Sequence, residues 1–335
     1  MPEAVEIKGD QYWLSVVVIG RNEGRHLAAL FASLPSGADI EWLYVDSQSE
    51  DDSVSVALKQ GAKVFLVDKD SVYASGTGRY IGTAEAAGRW ILYLDGDMVL
   101  RNEFIPFLER LRNESALPPE TAGFIGRTRN RYLDSRDSVI AERDYIVLTQ
   151  KKMGPVAAWG KPASYHGGAV LYRREAVLNA GSWNPAVCQL EEVDLYSRIL
   201  AKGGILRAVD LPMADHYTPH LSSWERLKLN FLPQWQGKRL YGAGQVVTAR
   251  FKEGGLAQFI RIYPYPFIVF AGLLTAPFLH YLWPPLPLLV NGVIVLWLGM
   301  TKKWYFYLVY LGNLLQILRG LGRYKPFEPR YKRVE

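Results

Sequence analysis

Leu94-Asp95-Gly96-Asp97 sets two carboxylates one residue apart at the end of the apolar run RWILYLD (89–95). If that run is a strand of a parallel sheet, its carboxyl end is where such sheets bind ligands. Two acids this close repel each other unless a cation or hydrogen-bond donors sit beside them. Oxygen ligands suit Mg2+ or Mn2+, either of which bridges protein carboxylates and a diphosphate. In isolation the triplet reads as a turn, because Asp and Gly are common turn residues. It is not isolated. The run WLSVVVI (13–19) leads into Gly20-Arg21-Asn22-Glu23-Gly24, and IEWLYVD (40–46) leads from Asp46 into Ser47-Gln48-Ser49-Glu50-Asp51. Arg79 lies on the helix before the fourth strand, in reach of phosphate oxygens. Each has a plain alternative: a helix cap for Asn22, a charge at a helix start for Asp51, a solvated face for Arg79. Those alternatives leave the convergence at one sheet edge unexplained.

The elements that must hold these groups follow from the hydrophobic periodicity. A continuous apolar run over 13–19 is expected of a strand covered on both faces. Arg25–Leu34 reads as a helix, 40–46 as a strand, and Glu50-Asp51-Asp52 opens a helix ending before Gly61. AKVFLV (62–67) is a third strand, Thr77–Ala87 a helix and 89–95 a fourth strand. Repeated βα units imply a mostly parallel, Rossmann-like sheet with right-handed crossovers. After residue 115 the pattern becomes more mixed, with strands at 122–129, 166–173 and 205–210 and a helix at Glu192–Lys202.

Composition bounds the class. With 49% hydrophobic and 21% charged residues the chain is neither disordered nor collagen-like. The lone Cys188 excludes an intrachain disulfide and fits a reducing compartment. The net charge of +6 conceals a split: residues 226–335 hold 15 Lys and Arg against 3 Asp and Glu, whereas 1–225 are net acidic. A nucleic-acid-binding protein is more often basic on its folded domain, so no nucleic-acid partner is expected. Residues 262–301 carry no Asp, Glu, Lys or Arg. A bilayer span needs about 20 apolar residues, so the run accommodates two passes broken near Trp283-Pro284-Pro285. A second uncharged run, 304–318, follows Lys302-Lys303 and forms either an interfacial helix or a third span. A buried hydrophobic domain is the soluble alternative. The first residues lack a basic region followed by an apolar core, so no signal peptide is expected, and the positive charges are expected to keep the acidic domain on the cytoplasmic face.

In order along the chain, VVVIGRNEG, YVDSQSEDDS, ASGTGRYIGTAEAAGRWILYLDGDM and LEEVDLYSR resemble the motifs of family 2 glycosyltransferases. The resemblance covers about residues 13–215 and implies the GT-A nucleotide-diphospho-sugar fold. It implies that Arg21, Asn22 and Glu23 line the nucleotide pocket and that Asp46 contacts the base. Arg79 would face base or diphosphate, and Asp95, beside Gly96, would lie near the ribose. Asp97 matches the metal-holding acid. Glu191-Glu192 stands where the family usually has Glu-Asp, the site of the catalytic base. Glu192 is preferred by alignment over Glu191, although glutamate reaches about one carbon further than aspartate. Two acids at a helix start are also favoured by the dipole alone, and an acceptor already ionised, such as a lipid phosphate, would need no base. Asp194 and Arg198 continue that motif toward the acceptor side.

Relatives often place a histidine near His216 as a further metal ligand, which would lean toward Mn2+. A lone histidine is otherwise structural. His166, before Gly167, is a candidate to face the acceptor. Gln236-Gly237-Lys238-Arg239-Leu240 is similar to the Q-x-x-R-W motif of membrane-bound synthases, with Leu240 in place of Trp. Equally, Lys238 and Arg239 suit lipid headgroups.

The resulting expectation is a GT-A domain over 1–220, amphipathic linker helices over 221–260, transmembrane helices over 261–320 and a basic cytoplasmic tail over 321–335. The activity implied is inverting, Mn2+- or Mg2+-dependent sugar transfer from a nucleotide-diphosphate sugar to a lipid-linked or glycan acceptor at the inner membrane. A nucleotidyltransferase of the same layout and a non-catalytic membrane scaffold are the rivals. The acidic Gly20–Gly24 loop disfavours the first, and the retained acids disfavour the second.

Overall fold

The computed structural model describes residues 10–71, 74–114, 117–145, 159–163, 167–222, 225, 242–264, 266–268, 271, 312 and 314–334. The chain divides into one unit of residues 1–220 with 326–335, and a second of 221–325.

The first unit begins with β1 (Tyr12–Gly20), α1 (Gly24–Ser33), β2 (Ile40–Asp46), α2 (Ser53–Lys59), β3 (Lys63–Val67), α3 (Ser75–Glu85) and β4 (Gly88–Asp95). Strands β3, β2, β1 and β4 lie side by side, all parallel. Along β1, Leu14, Val16 and Val18 pack into one cluster with Leu27, Leu30 and Phe31 of α1. The alternate residues Val17 and Ile19 meet α3 on the other face. Both faces are covered, so the sequence reads as an unbroken apolar run. A Cβ at Gly82 would lie 2.3 Å from Val17, and one at Gly78 would lie 3.0 Å from Ile19. These glycines let α3 settle directly on β1, which draws the intervening Arg79 below the surface.

The second half contributes β5 (Met98–Leu100), α4 (Ile105–Arg112), β6 (Thr121–Leu133), β7 (Val139–Tyr145), β8 (Lys161–Pro162), β9 (Val170–Arg173), α5 (Arg174–Asn179), α6 (Glu191–Ala201) and β10 (Ile205–Pro219). With β11 (Tyr331–Val334) the sheet order is β11-β3-β2-β1-β4-β9-β6-β10-β5. The sheet is therefore mixed, which corrects the mostly parallel expectation: β9 runs antiparallel to both β4 and β6, while β6 and β10 are parallel. β10 also extends well past residue 210. Register shifts flank Pro212, and a proline at a bulge breaks the apolar alternation without ending the strand.

Residues 326–335 are not a free tail. β11 pairs antiparallel with β3, and Tyr331 packs edge-on against Phe65. The Tyr331 hydroxyl donates to Glu85 at 2.6 Å, and the Asp68 amide donates to the Arg330 carbonyl at 2.8 Å. Lys332 and Arg333 stay exposed in the strand, so its pairing costs them no solvation.

In the second unit, α7 (Gly242–Glu253) and α8 (Leu256–Ile262) are described together with a helical stretch at 314–320. Gly244 lies against the backbone of Ile317 and Gly320, and Tyr324 donates to Glu253 at 2.7 Å. Phe251, Ile268, Leu318 and Leu321 are exposed. Most of the expected spans within 261–320, and all but residue 225 of the surface helix at 223–241, with Gln236 and Arg239, lie outside the described residues. Among the described residues no helix is long and apolar enough to cross a membrane.

Candidate active site

β4 ends at Asp95, and the Gly96 amide donates to the Ile19 carbonyl of β1 at 2.8 Å, so the turn carrying Asp97 hangs from the central strand. Two glycines make room around it. A Cβ at Gly96 would lie 2.8 Å from Cγ of Glu23, and one at Gly168 would lie 2.2 Å from Oδ2 of Asp95. Gly168 thus lies directly against Asp95. His166 lies outside the described residues.

Asp97 Oδ2 lies 3.2 Å from His216 Nε2, across the β5–β10 pairing. His216 Nδ1 lies 3.1 Å from Asn130 Oδ1, directly opposite on β6. Nδ1 therefore faces an amide oxygen, and Nε2 is the ring nitrogen on the side of Asp97. Burial lowers the proton affinity of His216, but the hydrogen bond and charge of Asp97 outweigh it and the net shift is upward. Asp97 Oδ1 is buried with no hydrogen-bond partner. A buried carboxylate oxygen left unpaired is costly, and an oxygen beside an imidazole nitrogen is a donor set that fits Mn2+ or Mg2+. Among the described residues no group of three or more His, Cys, Asp or Glu forms a complete metal cage. Asp97 and His216 would hold such an ion with the remaining positions left to diphosphate and water. Glu23 adds to the negative potential. Burial, then the charge of Asp97, pushes its carboxyl up to about 7.

Arg79, expected to face base or diphosphate, is 1% exposed. Its Nη2 donates to Asp95 at 2.8 Å, and Nη1 donates to Glu191 at 3.0 Å and to Glu192 at 3.4 Å. The guanidinium also lies 5.0 Å from the ring centre of Trp183. Leu190, in the left-handed conformation, starts α6 and turns both glutamates toward Arg79. Their side chains are 8% and 17% exposed, Glu192 being the more open. Burial and the neighbouring Glu191 push the Glu192 carboxyl up to about 8, against the pull of Arg79.

The first two loops hold each other. The Asn22 amide donates to Ser49 Oγ, and Asn22 Oδ1 accepts the Glu50 amide at 2.7 Å, with Asn22 itself at φ 60°. The Glu23 amide donates to Ser53 Oγ, and the Gly24 amide to Asp51, so Asp51 serves the start of α1. Arg21 is half exposed beside Glu50. Asp46 is fully buried and accepts from Tyr44, the Ser49 amide and the Ser49 hydroxyl. It builds the loop floor and does not project into the opening. Asp194 is also fully buried, paired with Arg198 at 2.7 Å, and Arg198 donates to the carbonyls of Ala180 and Ser182. These two, expected on the acceptor side, clasp α6 to the segment after α5. Asn130 escaped the sequence reading because the strand was expected to stop at 129. The only pointer would have been its register opposite His216.

The glycosyl transferase family 2 model matches residues 15–179, a segment that includes β1 to β5 and ends with α5. The curated 4,4'-diaponeurosporenoate glycosyltransferase of Staphylococcus haemolyticus (strain JCSC1435) is 30% identical over 95 residues, 27% of this chain and 25% of its own length. The match therefore spans only a quarter of that relative. The mannosyltransferase PcManGT from Pyrobaculum calidifontis, in complex with GDP-Man and Mn2+, superposes with a TM-score of 0.54 at 14% identity, covering 93% of this chain and 88% of its own. GalNAc-T7 with UDP, GalNAc and Mn2+ gives 0.51 at 15% identity, covering 76% of this chain and 57% of its own. At these identities the likeness shows the fold.

Proposed function

We propose that the chain, whose residues 15–179 match the glycosyl transferase family 2 model, transfers a sugar from a nucleotide-diphosphate sugar to an acceptor hydroxyl, with inversion. The observation that carries this is the meeting, at one sheet edge, of a buried Asp97–His216 pair with two glutamates linked to Asp95 through Arg79. The binding of GDP-Man or UDP with Mn2+ by structural neighbours supports a nucleotide-sugar donor and a divalent ion here. Asp97 and His216 would hold that ion, which neutralises the charge of the departing diphosphate when bound. Asp95 orients the sugar nucleotide at the end of β4. Glu192 takes the acceptor proton at a carboxylate oxygen: its side chain is more open than that of Glu191 and less tightly held by Arg79.

The acceptor is a lipid-linked saccharide or other membrane-associated glycan, received at the cytoplasmic face of the inner membrane. The uncharged run 262–301, its basic flanks, and the exposed Phe251, Leu318 and Leu321 of the second unit support that location. The test is release of the sugar from UDP-, GDP- and dTDP-sugars by the full chain with Mn2+ or Mg2+, with and without a lipid-linked acceptor. At least one donor is expected to be cleaved and to lose cleavage on Asp97→Asn. A chain that neither binds nor cleaves any of the panel would overturn the proposal.

A further inference from the structure

We propose that buried Arg79 is a positioning residue for transfer: its guanidinium ties Asp95, at the donor end of β4, to Glu191 and Glu192 at the start of α6, and thereby aims Glu192. The inference rests on the glycosyltransferase reading for its catalytic meaning, but the ion-pair hub exists independently of it.

A planar guanidinium is suited to this work because its two Nη groups point to different partners at fixed angles. Here one serves the donor side and the other the glutamates. Thr83 accounts for the helix beneath it, donating to the Arg79 carbonyl at 2.7 Å, and the Trp183 ring supports the guanidinium. Three carboxylates share this one buried cation. The groups facing Glu192 are Glu191 on its own helix, Arg79 on α3, Asp95 on β4 and Tyr172 on β9. Arg79 is the only cation among them. Glu192 lies furthest from it, at 3.4 Å, and its carboxyl is pushed up to about 8. Anything that draws Asp95 away from Arg79 leaves more of the guanidinium to the glutamates. Donor occupancy at β4 and the readiness of the base on α6 are then linked through one side chain.

The experiment follows the Glu192 carboxyl directly, in the full chain labelled with 13C at glutamate side-chain carboxyls, the resonance being assigned by its loss in Glu192→Gln. In Arg79→Gln the titration midpoint is expected to rise by about one pH unit, a tenfold gain in proton affinity. In Asp95→Asn, which frees the guanidinium for the glutamates, the midpoint is expected to fall, and this variant decides the matter if Arg79→Gln does not fold. Arg79→Lys keeps the charge but not the fork. It should hold the midpoint, lower kcat at least about tenfold and leave the donor KM within about threefold. Unmoved midpoints in Arg79→Gln and Asp95→Asn would overturn the proposal. So would an Arg79→Lys variant whose donor KM rises as much as its kcat falls, since that would place Arg79 on the donor itself. A wild-type chain that transfers no sugar would remove the activity reading while the midpoints still test the hub.

Discussion

Glu192 keeps its proton up to about pH 8, mainly because it is buried beside Glu191. A base must be ionised to act, so transfer should climb with pH toward that midpoint, and Glu192→Gln should lose about 10²–10⁴-fold in kcat. The same carboxyl acts oppositely on stability. Its folded-state proton affinity lies above the ordinary value of 4.5, so its contribution is complete below about pH 4.5 and is lost as pH rises through about 8. Glu192→Gln carries no such penalty. Its melting temperature should match the wild type near pH 4 and exceed it near pH 9 by about 3 °C or more, as scanning calorimetry would show. Asn130 is the other side chain with a measurable part, because its amide orients the His216 ring through Nδ1. Asn130→Leu should weaken Mn2+ binding by about 10–100-fold in the presence of UDP, read by electron paramagnetic resonance of free Mn2+. Asp95 and Asp97 are legible in the sequence as paired acids at a strand end, whereas Glu192 enters only through the family resemblance. The burial of Arg79, Asp46 and Asp194 is not legible there, because a charged residue on a helix or strand end gives no sign of whether solvent or a carboxylate meets it.

At the scale of elements, α3 is the piece on which the site depends. It lies on β1 through Gly82 and Gly78 and delivers Arg79 between them. Leucine at position 82 would put its Cβ about where Val17 stands, and over-packing of this kind costs about 1–3 kcal/mol. Gly82→Leu should therefore lower the urea midpoint and, by lifting α3, also raise the Glu192 titration midpoint. Gly61→Ala, at a positive φ in an open turn, should lower stability alone. The βα alternation of the first half was readable because each parallel strand is covered on both faces and each helix has one apolar stripe. The second half resisted for a reason visible in β10. Its register slips on either side of Pro212, so inward and outward residues exchange places midway and no single period describes the strand.

For the whole molecule, the decisive element is the short strand that closes it. β11 covers the edge of β3, and the preceding residues hold the 68–71 turn that leads toward α3. Ending the chain at Lys325 should expose β3 as an unpaired edge, lower the melting temperature and increase light scattering on heating. The charge distribution had marked residues 321–335 only as a basic extension, since four residues of mixed polarity carry no strand signal of their own. Their partner is more than two hundred residues away in sequence. That partnership has a topological consequence. The polypeptide leaves the sheet at Pro219 and rejoins the same sheet at Tyr331, so the stretch between is an excursion with both ends on one side of any bilayer it enters. Such an excursion crosses an even number of times or not at all. If hydropathy's expectation of membrane passes holds, parity would favour the two-pass hairpin over three passes. A third pass would strand β11 across the membrane from the very sheet it completes.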